Sequence, residues 1–217
     1  MFMKKYWFSI ALCILMLITA ALTYSSLPAK IPTHFGARGQ IDGYSDKIHV
    51  FTIPLMIAAL SALMVFLPRI DPRRANYAKF QKSYDAFINV LTLFLTTMFA
   101  ITVYSAYYPN AINVTMIIIL TVGMLFSWMG NIMPKFRWNY FIGIRCPWTL
   151  ANEQVWFLTH RFAGKIWMIG GLLIMAGAFL PVWIHAFYLL ALTLIMAFIP
   201  VIYAYLKYQE LDKGERK

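Results

Sequence analysis

Six apolar runs divide the chain, near 6–26, 50–67, 86–107, 114–132, 166–184 and 187–206. Each is close to the roughly 20 residues that a helix needs to cross a bilayer core. In lipid such a run must be helical, because an open backbone would leave its N–H and C=O groups unpaired. The pattern predicts an all-α integral membrane protein with six transmembrane helices in three hairpins. Short connections near 109–113 and 181–186 make helices three and four, and five and six, antiparallel neighbours. The chain divides into a two-helix unit, 1–67, and a four-helix unit, 68–217. Two polar stretches stand out, a loop from Leu27 to His49 and a second, longer one from Gly130 to Lys165, with its core at 133–165.

Composition agrees with a lipid solvent: 61% of the 217 residues are hydrophobic and only 12% are charged, where a soluble domain carries roughly 25%. Charge then sets orientation. Lys4, Lys5, Arg69, Arg73, Arg74, Lys79, Lys82, Lys135, Arg137, Arg145, Arg161, Lys165, Lys207, Lys213, Arg216 and Lys217 fall on one predicted side, which is 16 of the 19 basic residues. Lys30, Arg38 and Lys47 fall on the other. The asymmetry predicts cytoplasmic termini. The net charge of +11 is therefore a topology signal that also favours anionic headgroups. Direct nucleic-acid binding is disfavoured, because the basic residues are dispersed along a membrane face. Cys13 in a helix and Cys146 in a cytoplasmic loop are not placed to pair. Lys4-Lys5 before an apolar run is leader-like, but the run ends in Tyr24-Ser25-Ser26-Leu27-Pro28 without a small-x-small cleavage site, so it reads as a retained helix.

Within the helices, Ala163-Gly164, Gly170-Gly171 and Gly177-Ala178 recur every seven residues, a face on which another backbone packs closely. Pro200 predicts a kink, and Asp85 suits a helix N-terminus. No acidic, Lys or Arg side chain lies mid-helix, so the usual groups of ion-coupled transport are missing.

In the external loop, Pro28 and Pro32 hold the exit from helix one extended. Gly36, Gly39 and Gly43 permit tight turns, and Asp42-Gly43 is a turn dipeptide. A compact cap is expected. His34, Asp42, Asp46 and His49 match no familiar zinc spacing, so no metal is assigned, and no cofactor. In the cytoplasmic loop, Thr149 is expected to cap a helix starting at Leu150 that runs into helix five. Glu153, Trp156 and His160 then share a face. Trp148, Trp156 and Trp167 suit a membrane interface. An interfacial belt and a partner-docking surface both fit these residues.

The motif Gly130-Asn131, Pro134-Lys135, Asn139, Gly143-Ile144-Arg145-Cys146-Pro147-Trp148-Thr149-Leu150, Asn152-Glu153, Trp156 and Thr159-His160-Arg161 with Gly164 resembles the signature of the SdpI family. These are bacterial immunity proteins against the sporulation-delaying (SDP) peptide toxin. The loop Leu27-Pro28, Ile31-Pro32, His34, Gly39, Asp42-Gly43 and Lys47 is similar to a domain of unknown function found at the N-terminus of such proteins. Two roles are implied by the resemblance: protection of a bacterial plasma membrane from an SDP-like toxin, and, in some members, capture of a small winged-helix autorepressor at the membrane. Toxin contact would fall on the external loop, at Pro32, His34, Phe35, Gly39, Asp42 and Lys47. Partner contact would fall on Asn131, Pro134, Lys135, Asn139, Gly143, Arg145, Pro147, Trp148, Thr149, Asn152, Glu153, Trp156, His160 and Arg161. No catalytic role is assigned. The alternative is a membrane enzyme or transporter using Glu153, His160 and Arg161, although the chain has no nucleophile–base pair, phosphate loop or metal motif.

Overall fold

The apolar runs are helical over most of their length in the computed structural model, which describes residues 2–215. Arg216 and Lys217, counted in the charge asymmetry, lie outside the described residues, as do the side chains of Lys4 and Lys5. The elements are α1 (Phe2–Thr23), β1 (Lys30–Phe35), β2 (Ile41–Asp46), α2 (Thr52–Ile70), α3 (Tyr77–Tyr107), α4 (Val114–Ile132), α5 (Pro147–Ala151), α6 (Glu153–Gly177) and α7 (Val182–Glu215). Five helices among the described residues, α1, α2, α3, α4 and α7, are long and apolar enough to cross a membrane. The chain is a multi-pass membrane protein. The expected fifth span differs. It belongs to α6, which starts at Glu153 rather than near 166 and ends at Gly177 rather than near 184. Its first half carries Glu153, His160, Arg161 and Lys165, so only the second half is apolar. The chain turns at 178–181, with Leu180 N donating to Gly177 O at 3.0 Å, and α7 starts just after Pro181. The connection expected near 181–186 thus falls a few residues earlier, within the apolar run, where hydropathy does not mark it.

The cap is not all-α. β1 and β2 form an antiparallel hairpin with Lys30 opposite Asp46 and Phe35 opposite Ile41. Asp42-Gly43 is not its turn. Both residues lie in β2, and the turn is made at 36–40, where Gly39 adopts φ +80°. Ile31 and Pro32 point inward, and Ile31 joins Met16, Leu27, Val50 and Phe99 in one apolar cluster. The hairpin thus seals one end of α1 and α3.

Helix α3 packs on α1 and α2, while α4 packs most extensively on α6, which in turn packs on α7; α3 and α4 also touch. The expected small-residue face of α6 proves to be two faces. A Cβ at Gly164 would lie 2.7 Å from Gly130 O of α4, and one at Gly171 would lie 2.3 Å from Ser127 N of the same helix. By contrast, a Cβ at Gly170 or Gly177 would meet the side chain of Met196 or Tyr188 on α7. Each Gly-Gly or Gly-Ala step thus lets α6 fit two neighbours.

Two prolines lie inside apolar helices, Pro68 in α2 and Pro200 in α7. Each removes the N–H that would pair with the carbonyl four residues earlier. Those carbonyls are Met64 O and Met196 O, and both are satisfied from a neighbouring helix. Tyr84 Oη donates to Met64 O, and Trp167 Nε1 donates to Met196 O at 3.0 Å. Trp167, expected at an interface, is in fact a bridge from α6 to the carbonyl that Pro200 leaves without its helical partner in α7. Trp167→Phe is therefore expected to destabilise the fold by about 1–3 kcal/mol, the cost of stranding a buried carbonyl. Pro200→Ala in the same chain should restore much of this, because residue 200 regains its N–H. Thermal unfolding of the single and double variants in detergent checks it; equal losses in both would refute the pairing.

Candidate functional site

The polar segment between α4 and α6 folds around a carboxylate that the sequence reading overlooked. Asp71, just past α2, is 2% exposed. Its Oδ1 accepts from Arg73 N at 2.7 Å, and its Oδ2 accepts from Tyr77 Oη at 3.0 Å and Tyr140 N at 2.9 Å. A buried carboxylate needs such donors to hold its charge away from water. Arg73 lies with Cζ 3.3 Å from the centre of the Trp138 ring and 4.3 Å from that of Tyr140, and its Nη2 donates to Leu150 O at 3.1 Å. The available signal was Asp71-Pro72-Arg73-Arg74, an acid embedded among bases, in which only the positive charges were weighed.

Asn139 is fully buried and organises the next turn. Its Nδ2 donates to Arg137 O at 2.8 Å and Ile142 O at 3.0 Å, while its Oδ1 accepts from Phe141 N and Ile142 N. Gly143 follows at φ +113°, a conformation that glycine adopts without penalty. A Cβ there would also stand 2.3 Å from His160 Nε2. That nitrogen accepts from Ile144 N at 2.9 Å, and Nδ1 lies 2.8 Å from Trp156 O. These partners fix a neutral ring with its proton on Nδ1. Burial pushes the His160 pKa down to about 4, partly offset by the bond to Trp156 O. Trp156 stacks on His160 at 4.0 Å between ring centres and donates to Phe136 O at 3.0 Å.

Helix capping also departs from expectation. Cys146 is the N-cap of α5, and Thr149 is its third residue, with Oγ1 accepting from Cys146 N at 3.0 Å. The long helix begins after a break, and its cap is Asn152, whose side chain accepts from Gln154 N and Val155 N. Two candidate caps three residues apart cannot be ranked by residue type alone. Trp148 packs on Tyr205 of α7 at 5.0 Å between ring centres, and Trp156 is 1% exposed, so neither forms part of a simple interfacial belt.

The candidate residues at this end thus separate. Asn139, Thr149, Trp156 and His160 are buried, and Pro134, Gly143, Trp148 and Asn152 are half-buried. Asn131, Lys135, Arg145, Pro147, Glu153 and Arg161 are exposed. Pro134 packs against Gly164, where a Cβ would come within 2.9 Å of its ring. The shared face of Glu153, Trp156 and His160 is therefore only partly realised, since Glu153 points to solvent.

At the opposite end, His34 and Asp42 are exposed and joined through Nδ1 and Oδ1 across the hairpin. Pro32 is buried, Phe35 half-buried, and Lys47 is held by Tyr24, donating to its carbonyl at 3.1 Å. Gly39 rests on the start of α4, close to Thr115. Beside it a cavity of ≈ 270 Å³ includes Arg38, Asn113, Thr115 and His185 in its lining. His185 Nε2 donates to Leu180 O at 2.9 Å, and its Nδ1 is buried with no hydrogen-bond partner. Arg38, Thr115 and His185 are not among the sequence candidates, and in the sequence Arg38 stands out only by its charge.

Comparison with known proteins covers both ends. Residues 135–204 match the SdpI/YfhL protein family, and residues 11–58 match a domain of unknown function, DUF1648. The chain is 28% identical over 210 residues to the immunity protein SdpI of Bacillus subtilis (strain 168), which spans 97% of this chain and 99% of that protein. It is also 29% identical over 74 residues to an uncharacterized protein of Archaeoglobus fulgidus, 34% of this chain and 37% of the other. No solved structure matches the chain.

Proposed function

Because the chain carries an SdpI-family region behind the N-terminal domain of unknown function, we propose that it is an immunity protein of the bacterial plasma membrane. It protects the cell from a secreted, SDP-like peptide toxin. The observation that carries this reading is the similarity to SdpI over nearly both whole chains, which includes the hairpin cap as well as the buried network. Toxin meets the hairpin end, where His34, Asp42 and the cavity beside His185 are open to a peptide. The opposite, basic end faces the cytosol, and its exposed Asn131, Lys135, Arg145, Glu153 and Arg161 offer a surface to a small autorepressor. Signalling between the ends requires the toxin to favour one conformation over another.

An enzymatic reading loses one of its two acid–base candidates, since both ring nitrogens of His160 are already engaged, and keeps only the exposed Glu153. Expression in a toxin-sensitive cell is the direct test. Survival in an SDP-like peptide should rise with the protein present in the membrane, and no change across several such peptides counts against immunity. Orientation is tested by impermeant thiol labelling in a chain lacking Cys13 and Cys146. A Cys at Asn110 should label in intact cells and one at Arg137 should not; the reverse would invert the topology. Within the basic end, Arg145→Ala or Arg161→Ala should leave protection intact and reduce repressor capture, whereas Asn139→Ala should lower protein level and remove both.

A further inference from the structure

Two neighbouring hollows at the junction of α3 and α4 share one face of the bundle. The first is a cleft of ≈ 620 Å³ at the basic end, lined by Lys79, Lys82, Lys135 and Arg137 with no acidic residue among its walls. The second is an apolar groove of ≈ 370 Å³ between the same two helices, lined by Val90, Phe94, Thr97, Thr121, Leu125 and Trp128 among others. On α3, Ser83 of the cleft and Val90, Phe94 and Thr97 of the groove follow at intervals of seven, four and three, so they lie on one helix face. On α4 and the turn after it, Thr121, Leu125, Trp128 and Lys135 repeat that spacing. The groove thus lies in line with the cleft along the same two helices, with Phe87 between them on α3, and Lys82 to Phe94 spans roughly 18 Å at 1.5 Å per residue. That is close to half the thickness of a bilayer core, about 15 Å.

We infer that this composite hollow is a binding site for an anionic phospholipid, its phosphate in the cleft and one acyl chain in the groove. Four cations around a cleft with no acidic residue among its described lining select an anion. An apolar trough in line with them, on two helices able to cross the membrane, selects an anion that carries a chain. A free phosphate would use only the first half. A lipid would also fill the space between α3 and α4, which touch far less closely than α4 and α6, and so link the two halves of the bundle. The inference rests on the membrane character of the chain and not on immunity.

The test uses the full-length protein in neutral detergent with phosphatidylglycerol, phosphatidylcholine or inorganic phosphate as probe, read by native mass spectrometry and by thermal unfolding. Phosphatidylglycerol should be retained and raise the unfolding temperature; phosphatidylcholine and phosphate should do neither. Lys82→Gln with Lys135→Gln should weaken retention by about thirtyfold, in keeping with the combined effect of two cations at a membrane surface. Thr97→Trp, which fills the groove, should do the same with the charges intact. Arg161→Gln with Lys165→Gln, outside the cleft, should have no effect. Equal retention by the cleft and the control variants would overturn the site, and stabilisation by inorganic phosphate alone would overturn the acyl-chain half of it. Toxin survival is not read, so failure here leaves the immunity reading standing.

Discussion

Gly171→Ala is expected to remove most of the folded protein from membranes, whereas Gly170→Ala, one residue away, should be nearly silent. The difference lies in what the added methyl meets. At Gly171 it would stand 2.3 Å from Ser127 N and 2.5 Å from Gly123 O, both backbone atoms of α4. Backbone cannot step aside without moving the helix, so α4 and α6 must separate along the contact set by Gly123, Gly130, Gly164 and Gly171. Overpacking of a tight core costs typically 1–3 kcal/mol, occasionally more. In lipid little else holds helices together than this close packing. At Gly170 the nearest atoms are Sδ and Cγ of the Met196 side chain, which has rotamers to spare. Gly214→Ala, where nothing lies within 4 Å, serves as the surface control. Membrane level and detergent unfolding temperature of the three variants decide the matter. Equal loss at Gly170 and Gly171 would show that helix propensity, not the contact with α4, governs this helix.

How much of this was legible in the sequence follows from the range of each signal. The helices were readable because lipid enforces them and because length and apolarity are local properties. The seven-residue spacing of small residues in α6 was readable for the same reason, although its division between α4 and α7 was not, since spacing gives a face and not a partner. The hairpin was missed because its strands contain Pro32 and Gly43, residues that read as turn and not as strand, and because Tyr44 faces outward while Ser45 is half-buried. Asp71 was missed for a different reason. Its partners Tyr77 and Tyr140 are 6 and 69 residues away, and a lone acid in a basic stretch carries no mark that it is buried. The motif from Asn131 to Arg161 was legible as a unit. Its inner division into a buried frame, with Asn139, Gly143, Trp156 and His160, and an exposed rim was not. Hydrogen-bond partners make that division, and they come from backbone groups, which every residue possesses.

The buried frame has a consequence in acid. His160 is neutral in the fold, with its pKa lowered to about 4 from an ordinary value of 6.5. The unfolded chain therefore binds a proton at His160 that the folded chain refuses. Stability from this group is fully present above pH 6.5, falls as pH drops below that, and is lost once pH has passed through about 4. The whole loss is on the order of 3 kcal/mol for a shift of this size. Its structural cause is specific: a proton on Nε2 would face the N–H of Ile144, donor against donor, and the turn at Gly143 leaves no room for the ring to withdraw. The loop from Phe136 to Thr149 should loosen before the helices do. Hydrogen exchange of the Ile144 amide between pH 7 and pH 4, corrected for intrinsic rates, should show protection falling across that window in the natural chain. His160→Gln keeps a neutral side chain at all pH. It should start less protected at pH 7, because its amide fits the site less well, and then show a flatter decline. Subtracting the two profiles isolates the part of the acid response that belongs to residue 160. Parallel profiles would mean that His160 does not hold the loop through its neutral form.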